Sequence, residues 1–207
     1  MLKKVIKYAV WIIVIGFIAY NSIYIKKLSE VKAAETKPFN PREYARDYLY
    51  GKLPSSYKNA PQAGHLINEL KANSSKAFAA YSYSPNEGDR GYFLVRGEGE
   101  IINIDESNVF VKLKTGEDIK LTTEYIFGNA VRDAAGLISM DEFSNSMDIN
   151  NVSEEINKLI KTEVLPPFKS KAKKGDSIEF KGATELNQSA LKLDKMEIIP
   201  VSITIKK

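Results

Sequence analysis

The chain has 207 residues, 43% of them hydrophobic and 27% charged, which is ordinary for a folded protein. It contains no cysteine, which excludes disulfides, thiolate metal sites, a cysteine nucleophile and a lipid-modified cysteine within these residues. The net charge is +4, but five lysines flank the apolar N-terminus, and the remaining 25 basic and 26 acidic residues lack the basic excess of a nucleic-acid-binding domain.

The N-terminal stretch Tyr8–Ile25 is eighteen residues long and carries no charge. As a helix it would rise about 27 Å, close to the thickness of the hydrocarbon core. Lysines precede it, which favours an N-terminus kept inside the cell. We predict a membrane anchor or signal segment over residues 1–27, with a single pass and an extracytoplasmic C-terminal domain. The alternative is a cleaved secretory signal, although a small-x-small cleavage site is hard to find after the apolar run.

Residues 28–91 are predicted to form a stalk followed by helices. Asn40 and Pro41 have the pattern of a helix start, and Gly51 is expected to end that helix. A second helix is expected from Pro61 and a third after a cap at Ser74 or Ser75. The only histidine, His65, cannot make a usual metal site alone. We therefore expect it on a helix surface, with no metal and no cofactor.

Residues 92–207 are predicted to form an OB-like antiparallel β-barrel. Apolar and polar residues alternate around turns over Tyr92–Phe127, and strand-like runs return at Ser177–Phe180 and Leu191–Ile205. Five such runs hide their edges by closing into a barrel. The chain between the third and fourth strands, residues 128–174, is predicted to be a helical insertion. The expected fold class is α+β.

Three residues inside this part suggest local irregularities. Gly97 and Gly99 interrupt a predicted strand, and a strand rather than a helix follows them, so a dinucleotide-binding loop is excluded. We interpret both glycines as β-bulges. Pro200 is expected at a sheet edge or a bulge, because proline cannot donate to a ladder.

The insertion is expected to contain a helix that Ser153 caps. Ile156, Leu159 and Ile160 form its apolar stripe, and the pair Pro166-Pro167 is expected to end it. Four lysines follow in the six residues KSKAKK, at Lys169–Lys174. This run is interpreted as a solvated loop, or alternatively as a contact with phospholipid headgroups.

The candidate binding residues are Asn129, Arg132 and Asp133, three polar groups set among small residues in FGNAVRDAAGLI. The Arg132 guanidinium is suited to an anionic or polyol ligand, and Asn129 and Asp133 would complete the polar set. The alternative is an Arg–Asp pair and an asparagine cap that organise a loop.

The chain also resembles an uncharacterised family of predicted bacterial periplasmic lipoproteins. The resemblance spans nearly all residues and rests on KYAVWIIVI…YNSIYIKKL, FGNAVRDAAGLI, INKLIKTEVLPPFK and ELNQSALKLDKMEIIPVSI. Members are often encoded beside sugar-type ABC-transporter genes, which implies an accessory role at the envelope. The absence of a lipobox cysteine departs from the family label and favours a protein anchor. No activity is established for the family, so the resemblance assigns no site residue.

We therefore expect a membrane-anchored, extracytoplasmic accessory or ligand-binding protein, whose partners are the membrane and ABC-transporter or solute-binding components. No catalytic activity is inferred. One alternative is an envelope hydrolase that pairs Asp133 with Asp141 or Asp148. Another is a single-strand nucleic-acid-binding protein that stacks bases on three aromatic residues, although the charge opposes nucleic acid as a partner. These aromatic residues are Tyr92, Phe93 and Phe110.

Overall fold

The structure is a computed structural model that describes residues 6–8, 10, 11, 14, 15, 17, 39–85 and 88–206. Met1–Phe39 and Asn40–Lys207 are two separate compact units. Most of the predicted membrane-spanning stretch, and the whole predicted stalk, lie outside the described residues. Within the described residues, no helix is both long enough and apolar enough to cross a membrane.

The second unit begins with helices. Helix α1 (Pro41–Asp47) continues through a π-helical turn (Tyr48–Lys52) into α2 (Leu53–Ser56), and α3 (Ala63–Ala72) and α4 (Ser74–Tyr81) follow. Asn40 caps α1 as predicted, because its side-chain oxygen accepts from the backbone N–H groups of Arg42 and Glu43. The cap predicted for the third helix, at Ser74 or Ser75, is wrong: the side chain of Asn73 accepts from the backbone of Lys76 at 2.9 Å.

Two predicted helix ends are wrong for one shared reason. The first helix runs past Gly51, and the helix of the insertion runs past Pro166 and Pro167. At both places a π-helical turn precedes the proline, and the proline occupies the first turn of the next α-helical segment. A proline in a first turn needs no backbone N–H, so the axis continues without the lost hydrogen bond that would stop it.

The sheet contains six described strands: β1 (Ser82–Tyr83), β2 (Arg90–Ile104), β3 (Asn108–Leu113), β4 (Asp118–Thr122), β5 (Ser177–Asn187) and β6 (Met196–Ile205). Their order is β1-β2-β3-β4-β6-β5, and β5 also pairs with β2, so strands β2 to β6 form a closed ring of hydrogen-bonded neighbours. The fold class is α+β with an OB-fold-like sheet, as predicted. The ring is not wholly antiparallel, because β4 and β6 pair in parallel. The last strand begins at Met196 rather than at Leu191.

The insertion lies between β4 and β5, the third and fourth strands of the ring. It contains α5 (Ala130–Asp133), a 3₁₀ turn (Met140–Glu142), α6 (Ser146–Leu159), a π-helical turn (Ile160–Val164) and α7 (Leu165–Lys169). The predicted start of α6 at Ser153 is wrong. Asn145 caps the helix by accepting from the backbone of Asp148 at 2.9 Å, and Ser153 is buried in the helix interior.

The predicted apolar stripe of α6 faces the core. Ile156 and Ile160 are fully buried and Leu159 is 2% exposed, in the same cluster as the inward-facing residues of the sheet. The preceding helices contribute to this core as well, for example through Tyr48 and Leu66. Helices and sheet therefore belong to one compact unit, and the boundaries that we predicted at residues 27 and 91 stay predictions.

The irregular positions of the sheet differ in cause. The pairing of β2 with β5 is continuous through Gly97 and Gly99, and the irregularity between β2 and β3 lies between Ile101 and Asn103. The two glycines are therefore not bulges. A Cβ atom at residue 97 would lie 2.6 Å from the ring of Phe180, so close packing accounts for that glycine. The bulge predicted at Pro200 is confirmed, because the register shifts directly opposite it.

Candidate functional site

The loop between β4 and α5 is held against α6 by one hydrogen bond. The side-chain amide of Asn157 donates to the carbonyl oxygen of Gly128 at 3.0 Å. Gly128 has φ of +86°, a conformation that side chains other than glycine disfavour, and the loop turns there into α5. The turn and the hydrogen bond together fix where Phe127 and Asn129 lie relative to α6.

Arg132 and Asp133 form a buried ion pair directly after this turn. Arg132 donates from Nε to Oδ1 of Asp133 at 2.6 Å and from Nη2 to Oδ2 at 2.8 Å. Both residues are buried, at 7% and 5% exposure. Charges at this depth are retained only where they are paired and hydrogen-bonded, and this geometry supplies both conditions.

Two further side chains surround the ion pair. Nη1 of Arg132 donates to Oγ of Ser153 at 2.9 Å. The hydroxyl of Tyr48 donates to the carbonyl oxygens of Val131 and Arg132, at 2.8 and 2.9 Å. Burial raises the pKa of Tyr48, and the carboxylate of Asp133 raises it further, so this hydroxyl keeps its proton and remains a donor. The short helix α5 is thus fixed from both sides.

A cavity of about 470 Å³, the helix cavity, lies between the loop and α6. The loop contributes Ile126–Asn129, and the helical side contributes polar residues spaced three or four apart: Asn150, Ser153, Glu154, Asn157, Lys158 and Lys161. Phe127 stands at the loop side with 71% of its surface exposed. The walls therefore combine an aromatic ring with amide, hydroxyl and charged groups.

A second cavity of about 520 Å³, the strand cavity, lies at the start of β2. Its lining includes Asp89, Arg90, Tyr92, Asn129 and Asn187. Burial raises the pKa of the Tyr92 hydroxyl, and the carboxylates of Glu185 and Asp133 raise it further. The strand cavity is thus in electrostatic contact with the same buried ion pair.

The three predicted site residues lie together but differ in position. Asn129 lines both cavities. Arg132 and Asp133 line neither, and their charged groups contact each other and Ser153. This geometry favours the alternative in which the pair organises the loop, with Ser153 connecting it to the wall of the helix cavity. Ligand binding by the three residues stays a prediction.

The polar face of α6 was not among the predicted site residues. Asn150, Ser153 and Asn157 lie on one side of the helix, next to the apolar stripe of Ile149, Val152 and Ile156. A signal was available, because polar side chains repeated at helical spacing beside a buried stripe indicate a face that does not simply point into bulk water. A helix that starts at Ser153, as predicted, does not include Asn150, so the polar repeat is not visible in it.

The structure places several residues of the hydrolase and nucleic-acid-binding alternatives where they are not free to act. Both carboxylate oxygens of Asp133 accept from Arg132, so the proposed hydrolase would have to break a buried ion pair to use this acid.

For base stacking, Phe93 is fully buried and packs edge-on against Phe78 at 5.0 Å, and Tyr92 is 8% exposed. Only Phe110 of the predicted stacking residues retains partial exposure. His65, as expected, is exposed on a helix, where its Nε2 lies 3.3 Å from the Tyr81 hydroxyl.

Comparisons with known proteins agree with this architecture. The family model described as "Predicted periplasmic lipoprotein (DUF2291)" matches residues 13–204. Among solved structures, the chain is similar to an OB-fold protein from Thermotoga maritima MSB8, with a TM-score of 0.73 and 26% sequence identity. That match covers 82% of this chain and all of the other. No curated protein matches the chain. Neither description names a catalytic activity.

Proposed function

Because the chain belongs to the family of predicted periplasmic lipoproteins, we propose that it is a membrane-anchored, extracytoplasmic protein that binds a small polyhydroxylated ligand, such as a sugar, in the helix cavity. The function is binding, without a chemical step. The observation that carries the proposal is the set of polar groups facing the cavity next to an exposed aromatic ring. In the described part of the chain, no hydrogen bond involves the side-chain amides of Asn129 and Asn150.

Amides and an aromatic ring together suit a sugar. An amide both donates and accepts, so Asn129 and Asn150 can each serve a ligand hydroxyl in either role. The side-chain oxygen of Asn157 can accept from a ligand hydroxyl, while the side-chain nitrogen donates to Gly128. The exposed face of Phe127 offers an apolar surface to the carbon–hydrogen face of a sugar ring. Pockets that bind small molecules combine such apolar area with a few convergent polar groups.

The charges in the helix cavity favour a neutral ligand over an anionic one. Lys158 lies 3.2 Å from Glu155, and Lys161 lies 2.7 Å from Glu124. Each lysine at the cavity wall therefore lies within ion-pair distance of a carboxylate. Glu154 adds a negative charge to the lining. A phosphorylated ligand would find no unpaired cation here, whereas hydroxyl groups require none.

A thermal-shift panel of pentoses and hexoses tests this function on the full-length protein. A sugar present at about 100 times its dissociation constant should raise the melting temperature by about 5–10 °C. Asn129→Ala and Asn150→Ala should each remove that rise while leaving the ligand-free melting temperature nearly unchanged, because both amides lack partners in the described protein. Lys76→Ala, on a different helix, is the matched control and should keep the rise. If no sugar shifts the transition, the proposal fails.

On the basis of the family resemblance, we propose that the partner of this protein is a sugar-type ABC transporter or its solute-binding protein. A membrane-anchored sugar-binding module beside a transporter would raise the local concentration of substrate or report its presence. Co-purification from detergent-solubilised membranes tests this partner. Recovery of transporter components with the wild-type protein supports the association, and their absence from repeated preparations contradicts it.

A further inference from the structure

A basic surface on the insertion goes beyond the proposed sugar site. The run Lys169–Lys174 contains four lysines and no acid, and all four are exposed. Lys171, Lys173 and Lys174 have no carboxylate within ion-pair distance among the described residues. The nearby Asp176 accepts from the backbone of Lys173, which holds the turn without pairing the ammonium group. Three adjacent positive charges are thus left uncompensated.

An exposed tyrosine follows the acid that pairs with the first lysine of this run. Tyr125 exposes 64% of its surface, and the preceding residue, Glu124, lies 2.7 Å from Lys161 and 3.4 Å from Lys169. Glu124 therefore connects the β4–α5 loop to the start of the lysine run. The result is a surface where five lysines outnumber the neighbouring acids Glu124 and Asp176 next to an amphipathic aromatic ring, and we call it the basic surface. It consists of Tyr125, Lys161, Lys169, Lys171, Lys173 and Lys174.

We propose that the basic surface docks on anionic phospholipid headgroups. Lysines near an anionic bilayer strengthen its binding by about fivefold each, and a tyrosine ring favours the headgroup level. Charge complementarity selects this occupant, because phospholipid phosphates present many negative charges in one plane. An exposed lysine run without an apolar groove offers little to a protein partner, whose interface would need a buried apolar centre. Docking would fix the orientation of the second unit on the bilayer.

The absence of cysteine makes a direct test possible. The full-length Tyr125→Cys variant carries a single thiol, which can be labelled with an environment-sensitive fluorophore and reconstituted into vesicles. In vesicles of phosphatidylcholine with about one-third phosphatidylglycerol, the label should be quenched by headgroup-level spin-labelled lipid and shift to the blue. In pure phosphatidylcholine both signals should be largely lost. Ala190→Cys is the control and should show neither, because this exposed residue follows Asn187, which pairs with Arg90 at the end of β2 opposite to the lysine run.

The lysines are tested in the same labelled protein. Replacing Lys171, Lys173 and Lys174 by glutamine should lower the equilibrium constant for docking by roughly a hundredfold in the anionic vesicles. The matched triple variant at three other exposed lysines should leave the signal unchanged; these are Lys58, Lys76 and Lys192.

The proposal is overturned if quenching is absent from anionic vesicles or equal in neutral ones. It is also overturned if the lysine replacements have no effect, or if the Ala190→Cys label is quenched to the same extent. Sugar-induced thermal shifts are measured separately and without vesicles. Failure of sugar binding and failure of lipid docking can therefore be distinguished.

Discussion

Arg132 donates a hydrogen bond to Ser153 over 2.9 Å, and this contact joins the buried ion pair to the wall of the helix cavity. Arg132 also donates two hydrogen bonds to the carboxylate of Asp133. The same three residues therefore stabilise the loop and position the surface on which we place the ligand. Changes to the ion pair should affect stability first, and binding through the position of Ser153.

Asp133→Leu should destabilise the protein by about 3–5 kcal/mol, because it leaves the guanidinium of Arg132 buried without a counter-charge. The double variant Arg132→Met/Asp133→Leu should recover most of that loss, since it removes the orphaned charge and keeps the volume. Urea denaturation measures both. A single variant as stable as the wild type would show that the pair does not hold the loop.

Tyr48→Phe should cost about 1–3 kcal/mol, because two buried carbonyl oxygens lose their donor. Tyr57→Phe is the matched control: its hydroxyl is equally buried but has no hydrogen-bond partner among the described residues. Removing that hydroxyl should leave stability unchanged or slightly higher. Thermal unfolding of the two variants distinguishes them, and equal losses would argue against the role of the Tyr48 hydroxyl.

Leu159→Ala should cost about 2–5 kcal/mol, since the side chain is 2% exposed in the core between α6 and the sheet. Leu159→Asp should cost more by placing a charge there. The neighbouring Lys158→Ala loses only a surface ion pair and should cost at most about 1 kcal/mol. A melting temperature of Leu159→Asp equal to that of the wild type would contradict the docking of α6.

Acid should weaken the protein partly through Glu98. Hydrogen bonds from Lys114 and Lys206 lower the pKa of this carboxyl from 4.5 to about 2 in the folded protein. A lowered pKa means that the contribution of Glu98 is fully present above pH 4.5 and is lost as the pH falls towards 2. The melting temperature of Glu98→Gln should therefore fall less steeply than that of the wild type between pH 5 and pH 2. Parallel curves would contradict this role for Glu98.

The proposed anchor predicts the location of the C-terminus. A fusion of alkaline phosphatase after Lys207 should be active, because the enzyme folds only outside the cytoplasm, and a β-galactosidase fusion at the same site should be inactive. The opposite pair of activities would place the second unit in the cytoplasm and would contradict the proposed extracytoplasmic location.

The sheet could be predicted from sequence because its signals are local. Val109, Val111 and Leu113 alternate with Phe110 and Lys112, so one face is aliphatic and the other mixed. Gly116, with φ of +101°, marks the turn between β3 and β4. The parallel pairing of β4 with β6 could not be seen locally, because their partners are Ile119 and Met196, separated by the whole insertion. Hydrophobic alternation is the same for either strand direction.

The site was only partly predictable for a related reason. The polar triplet Asn129, Arg132 and Asp133 stands out in the sequence, but adjacency did not reveal that Arg132 and Asp133 would pair with each other and leave Asn129 at the cavity wall. The contribution of Asn150 depended on the true start of α6, which Asn145 sets through a cap. The π-helical turns before Pro54 and Pro166 have no simple sequence pattern, so both helix ends were missed.

Binding in the helix cavity is tested most directly with a tryptophan reporter. Trp11 is the only natural tryptophan, so Phe127→Trp adds one reporter at the cavity wall. Titration with the sugar that raises the melting temperature should give a saturable change in its emission, which Asn129→Ala should abolish. The nearby Tyr125→Trp, outside the lining, should not respond. No saturable change, or an equal change in Tyr125→Trp or after Asn129→Ala, would contradict ligand binding at this site.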